Sequence, residues 1–276
     1  MTSHDVVSRC RRIFEQRRVG HGGTLDPDAT GVLLVGLGRA TRLLRFLSAL
    51  PKSYVGEVVL GVETSTLDAA GEVVATHDMA GVTVAEARAA AAAFVGDIAQ
   101  VPPMVSAVRV GGRRLYQLAR EGADVERAAR PVTVHRFDVA PGPEPGVLSL
   151  EVDCSPGTYV RSLAADLGTA LGGGAHLRRL RRTAVGSFTL ADACPLDDLG
   201  PAAALAPAET LRDYARVTVG ADVATTVGHG RLLDPAAQQW AGEGPWAVLD
   251  GDGDLLAVYE RLPDGRAKPS VVLAPR

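Results

Sequence analysis

The sequence predicts an α+β protein built on a mixed, largely antiparallel sheet, followed by a small β-rich C-terminal domain. Helical and strand-like segments are interleaved without regular strand-helix alternation, which argues against a parallel βαβ architecture. The strand-like segments are separated by Gly and Pro clusters, as hairpin connections are. After Leu199 the chain passes through Gly-Pro-Ala-Ala-Ala-Leu-Ala-Pro, and beyond about Tyr214 it holds short strand signals divided by Asp-Gly turns. The expected division is therefore residues 1–212 and 213–276.

In chain order, Val6, Val7, Cys10, Ile13 and Phe14 recur at helical spacing after Thr2, with Asp5 three residues on as in a capping box. This predicts a helix over 3–17 with one apolar face and one arginine face. Residues 20–31, rich in Gly, Asp, Pro and Thr, read as a loop. An apolar run follows at 32–37, then a helix over 39–50, a strand over 53–60 and a turn at 68–71. Thr83 with Glu86 opens an alanine-rich helix to about Val95. Strands are expected at 104–110, 132–139 and 147–153, with a short helix at 116–120. Val160, Leu163, Ala164, Leu167 and Leu171 return to helical spacing over 158–171, and the last strands fall at 215–219, 246–249 and 255–259.

A chain of 276 residues with 46% hydrophobic content can bury a substantial core. Its longest apolar runs fall far short of the roughly 18 residues a membrane span needs, and no basic-then-apolar leader opens the chain, so a cytoplasmic protein with no membrane partner is expected. The three cysteines, Cys10, Cys154 and Cys194, lie far apart and suit neither a disulfide framework nor a zinc site. A net charge of −3 argues against a nucleic-acid partner, but the distribution reverses that. Residues 1–50 hold eight Arg against four acidic residues, whereas 51–100 hold two basic against seven acidic. Basic patches stand at Arg9, Arg11, Arg12, Arg17 and Arg18, at Arg109, Arg113 and Arg114, and at His176, Arg178, Arg179, Arg181 and Arg182. Of 29 basic residues only Lys52 and Lys268 are lysine, and the planar guanidinium fork suits phosphate and base edges. Solvated helix faces would produce the same patches.

The densest chemistry lies in 18–31. Its glycines permit close backbone approach to a ligand, and Pro27 biases Asp26 toward extended geometry, so a fixed carboxylate could serve as nucleophile or base. An ordinary Asp-Pro turn is the plain alternative. A phosphate loop is another, although no Gly-Lys-Ser/Thr follows, and His21 with Asp26 lacks a third metal ligand at sensible spacing.

Gly20-His-Gly-Gly-Thr-Leu-Asp-Pro-Asp-Ala-Thr-Gly-Val-Leu resembles the signature of the bacterial TruB-type tRNA pseudouridine synthases, with an actinobacterial look. Further matches follow in order: Lys52-Ser-Tyr54, Leu60-Gly-Val-Glu-Thr-Ser-Thr-Leu-Asp68, Gln100-Val-Pro-Pro with Ser106-Ala, Gly157-Thr-Tyr-Val-Arg-Ser-Leu163, and Gly174-Ala-His-Leu-Arg-Arg-Leu-Arg-Arg182. The resemblance implies a pseudouridine synthase catalytic domain with a PUA-like C-terminal domain, isomerising uridine 55 of the tRNA T-loop by base flipping. No metal or organic cofactor is implied. It makes Asp26 the catalytic carboxylate, Arg161 its charge partner and Tyr54 the platform for the flipped base, where stacking is worth roughly 1 to 3 kcal/mol. Tyr159 and Leu180 would line the uracil pocket, His21 would support the everted loop, Asp68 would lie nearby, and Arg178 and Arg179 would hold T-arm phosphates, the enzyme acting as a monomer. The family carries an apolar strand and Lys-Pro-x-Gly ahead of the segment that here starts at Met1, so an N-terminally shortened form is expected. A tRNA-binding module without catalysis and a phosphate-cradling hydrolase remain as other classes.

Overall fold

The computed structural model describes residues 1–106, 108–121 and 125–273; Ala107 and the side chains of Arg109 and Arg114, singled out above, lie outside the described residues. Contacts gather the chain into two compact units, the first made of residues 1–27, 33–49 and 186–276, the second of 28–32 and 50–185.

The second unit is an α+β layer. Its strands run in the spatial order Ala175–Val185, Lys52–Leu60, Val147–Cys154, Arg130–Pro141, Gly96–Gln100, each antiparallel to its neighbour. Thr30–Gly31 pairs in parallel with Arg181 and Arg182, which makes the sheet mixed but largely antiparallel, as expected. That pairing is the reason for Gly31: at φ 103° a Cβ would fall on the Arg182 carbonyl. Alternation buries Tyr54, Val58 and Leu60 of one strand with Leu148, Leu150 and Val152 of the next, and Leu163, Ala164 and Leu167 of the helix Val160–Ala170 complete the core. Each such Leu contributes roughly 1.5 to 3 kcal/mol by leaving water. The alanine-rich helix is Val84–Ala92, and its capping box, Thr83 with Glu86, is formed as its sequence predicts.

Two expectations for this unit are corrected. The strand expected at 104–110 is reduced to Arg109–Val110, because Pro102 and Pro103 lack ladder donors and the Val105 carbonyl is taken by Arg161 at 2.9 Å. The segment read only as a basic patch is the eleven-residue strand Ala175–Val185. Its register shifts between Leu177 and Arg179, and again between Arg182 and Ala184, so two bulges break the period of two that would have marked it.

The first unit opens with the helix Ser3–Ile13, shorter than expected but capped by Thr2 and Asp5 as read. Val7 and Cys10 pack on Val19 of the hairpin Val19–His21 with Val35–Leu37. The helix expected over 39–50 is a 3-10 turn, Gly38–Leu43, running into the α-helix Leu44–Ser48. Leu43 and Phe46 bury against Leu211, Leu249 and Leu255. The C-terminal sheet takes the order Ala215–Thr218, Trp246–Leu249, Leu255–Arg261, Ala267–Val272. Its first pair is parallel, a crossover supplied by the helix Ala221–Gly228, which the short apolar pattern there did not announce. Trp240, Trp246 and Tyr259 form its aromatic centre, with ring centroids 5.6 Å apart in both pairs that Trp240 makes. The connector after Leu199 runs exposed over residues 201–207, with the fully buried Leu211 beyond it.

Lys52 is 7% exposed and donates to the Leu50 carbonyl at 2.6 Å. Burial first, and the Arg182 guanidinium second, pull its pKa from 10.5 down to about 8. Between those values the unfolded chain binds more protons than the folded one, so stability rises with pH across that window. Cys154, pushed by burial from 9.0 up to about 11, opposes this as the pH passes 9. The expected outcome is a melting temperature that climbs from about pH 8 to about pH 9, with the climb reduced in Lys52→Met; calorimetry of both proteins at the two pH values checks it.

Candidate active site

Asp26 belongs to the first unit, in the loop that leaves the strand Val19–His21. The residue before it is clamped: the Ser3 hydroxyl accepts from the Leu25 N–H at 2.9 Å and donates to the Leu25 carbonyl at 3.2 Å. Ser3 is 5% exposed, so neither bond competes freely with water. Gly22 donates to the Leu34 carbonyl at 2.8 Å, closing the hairpin that carries His21 opposite Val35. One glycine of this segment has a packing role of its own. A Cβ on Gly20 would meet Leu44 at a tight 3.1 Å, so this glycine lets the hairpin lie close on the helix Leu44–Ser48, whereas a Cβ on Gly22 would make only ordinary contact at 3.5 Å. The half-buried Asp26 is thus carried on a loop fixed at both sides by backbone bonds.

Arg161 belongs to the second unit, in the first turn of the helix Val160–Ala170, and is only 4% exposed. Its guanidinium donates to Asp68 Oδ2 at 3.0 Å, to the Thr66 carbonyl at 3.0 Å and to the Val105 carbonyl at 2.9 Å. Asp68 is held in turn by the Ala70 N–H at 3.1 Å and by the Thr66 hydroxyl. The structure therefore brings together two residues that the sequence singled out separately, Arg161 and Asp68, as an ion pair. Tyr159 stands at the N-cap of the same helix. Tyr54 is 9% exposed and belongs to the core cluster against which Leu180 packs.

The basic patches divide by engagement. Arg178 is bonded to Glu57 at 2.8 Å and to Glu144, and these carboxylates, Glu144 first, hold its pKa above the ordinary value. Arg179 is 77% exposed and 3.7 Å from Glu57. Arg182 is buried, its Nε donating to the Val32 carbonyl at 2.7 Å. Arg113 pairs with Glu121, whereas Arg12, Arg17 and Arg18 are exposed. Among the described residues no three His, Cys, Asp or Glu side chains gather as metal ligands, and no helix is long and apolar enough to cross a membrane. Ser3 and Thr66 were missed by sequence reasoning: Ser3 bonds only main-chain groups of Leu25, and Thr66 offers its carbonyl to a side chain 95 residues on.

Family models cover nearly the whole chain. That of the TruB family pseudouridylate synthase N-terminal domain matches residues 11–160, that of the tRNA pseudouridylate synthase B C-terminal domain matches 161–219, and that of the tRNA pseudouridine synthase II C-terminal domain matches 214–274. The chain belongs to the TruB family. Among its relatives is the tRNA pseudouridine synthase B of Mycobacterium ulcerans (strain Agy99), 48% identical over 279 residues covering 99% of this chain and 91% of that protein. The protein of the same name from Mycobacterium sp. (strain KMS) is 49% identical over 281 residues, covering 100% and 93%. A chain of a crystallised Cbf5-Nop10-Gar1 complex superposes with a TM-score of 0.69 at 26% identity, covering 95% of this chain and 75% of that one. A chain of the archaeal box H/ACA Nop10-Cbf5 complex, with a TM-score of 0.70 at 23% identity, shares the fold over 100% of this chain and 83% of its own. The pseudouridine synthase fold expected for the TruB-like sequence is thereby present, PUA-like C-terminal domain included.

Removing the Ser3 hydroxyl leaves the half-buried Leu25 N–H without its acceptor, a loss of about 1 kcal/mol. Ser3→Ala is expected to lower the denaturation midpoint accordingly while Ser3→Thr retains most of it, as read by urea melts.

Proposed function

We propose that this chain is a cytoplasmic, monomeric tRNA pseudouridine synthase that isomerises uridine 55 in the T-loop. Asp26 is its catalytic carboxylate, Arg161 the charge partner of Asp26, and Tyr54 the platform of the flipped base. One observation carries the reading: the segment holding Asp26 lies in a chain whose relative, 48% identical over 99% of its length, bears the name tRNA pseudouridine synthase B. The reaction needs no outside reagent. The uracil leaves the stack, its N1–C1′ bond breaks, the ring turns, C5 bonds to C1′, and the C5 proton departs while N1 gains one. A carboxylate, a fixed cation and an aromatic face supply what those steps require. Tyr159 and Leu180 line the uracil pocket, His21 supports the everted nucleotides, and Asp68 orients Arg161. Residues 1–212 act as the catalytic part and 213–276 as an RNA-binding accessory domain. Shape and phosphate contacts place the T-arm, with the pocket reading the base.

Incubation with tRNA tritiated at uridine C5 tests this. Wild type is expected to release tritium, and Asp26→Asn to release none while binding tRNA within about tenfold, or 1.4 kcal/mol. Binding without release by the wild type would leave a tRNA-binding module, and hydrolysis of a nucleotide or ester without tRNA binding would leave a hydrolase.

The arginines make binding salt-dependent. Because Arg178 is already neutralised by Glu57 and Glu144 while Arg179 is exposed, Arg179→Ala is expected to lower the slope of log affinity against log salt by about 1, and Arg178→Ala by less. Filter binding across a salt series measures both.

A further inference from the structure

The Gln100-Val-Pro-Pro segment, a sequence match that the proposed chemistry leaves unused, crosses the start of the helix Val160–Ala170 as a strap. Gln100, at the end of the strand Gly96–Gln100, is 3% exposed. Its carboxamide is spent on one residue: Oε1 accepts from the Tyr159 N–H at 2.7 Å and Nε2 donates to the Tyr159 carbonyl at 3.1 Å. The next residues continue the contact. The Val101 carbonyl accepts from the Ser162 hydroxyl at 3.2 Å, and the Val105 carbonyl accepts from the Arg161 guanidinium at 2.9 Å. Between them Pro102 and Pro103 are buried, and their fixed φ stiffens the strap.

Tyr159 is the N-cap of the helix and has no side-chain cap of its own. The Gln100 carboxamide holds both of its main-chain polar groups, and Arg161 follows two residues later. We propose that Gln100 is a positioning residue of the isomerisation: by holding the Tyr159 N–H and carbonyl together it sets the first turn of the helix, and with it the aim of the Arg161 guanidinium and the Tyr159 ring. The inference rests on the proposed roles of Arg161 and Tyr159. The clamp demands one donor and one acceptor at carboxamide spacing. Leucine supplies neither. A glutamate carboxylate keeps the acceptor but sets a second anionic oxygen against the Tyr159 carbonyl, whereas the protonated acid is a donor-acceptor isostere of the amide. Burial raises a carboxyl pKa, which brings that protonated form within reach of mildly acid solution.

The test measures single-turnover tritium release and tRNA affinity for wild type, Gln100→Leu and Gln100→Glu at about pH 8 and about pH 6. Gln100→Leu is expected to slow the chemical step about 10- to 100-fold, the cost of a misaimed group, with tRNA affinity held within about threefold and a cooperative melt retained. Gln100→Glu is expected to be slow at the higher pH and to regain rate, relative to wild type, at the lower. Rates of both variants within about twofold of wild type at either pH would overturn the clamp. So would affinity and melting temperature falling in step with rate, which marks a scaffold residue. Should Gln100→Leu fail to fold, the pH response of Gln100→Glu decides. A wild type without turnover would instead remove the proposed function, and the positioning role with it.

Discussion

A guanidinium buried to 4% exposure is the constraint around which the second unit is organised. Removing one partner of a buried ion pair costs about 3 to 5 kcal/mol, so the pair persists only where its donors are matched. The Arg161 amino groups draw acceptors from separate parts of the chain: the Thr66 carbonyl and Asp68 from the turn after Val62–Thr64, and the Val105 carbonyl from the stretch after Gly96–Gln100. Each segment is tied again by its own bonds, as the Ala69 N–H to the Leu177 carbonyl at 3.0 Å anchors the turn to the sheet. The cation is therefore aimed by the whole unit rather than by its own helix alone.

Legibility in the sequence followed the range of the interaction. Two capping boxes, Thr2 with Asp5 and Thr83 with Glu86, were readable because donor and acceptor lie three residues apart and a helical apolar pattern follows, whereas a third, Thr189 with Asp192, heads only a single 3-10 turn. Asp26, Tyr54, Arg161 and Asp68 stood out through ordered matches to a family signature, but the pairing of Arg161 with Asp68 spans 93 residues and left no local trace. The Gln100 clamp on Tyr159 was hidden for the same reason, since it joins a side chain to a backbone 59 residues on. The strand Ala175–Val185 was lost because its apolar residues Leu177 and Leu180 stand three positions apart, a spacing a strand admits only with a bulge between them. The two-part helix over 38–48 followed the apolar pattern in placement while tertiary packing of Leu43 and Phe46 chose its geometry.

Charge taught a related lesson. The arginines that look equivalent in Gly174–Arg182 perform different work: Arg178 is bound by two carboxylates, Arg182 is interior, and Arg179 stands in solvent. Clustering in sequence marks a basic strand, and only the opposite strand, which brings Glu57 beside Arg179, decides which charges stay available to a polyanion.

The aromatic centre of the C-terminal sheet has a practical consequence. The chain has two tryptophans, and both, Trp240 and Trp246, lie in that one cluster, at 9% and 0% exposure. Intrinsic indole emission is thus a private reporter of the first unit, blind to the unit that holds Arg161. A denaturation followed by fluorescence observes the first unit alone and one followed by circular dichroism observes both, so any gap between the two curves measures how independently the units come apart.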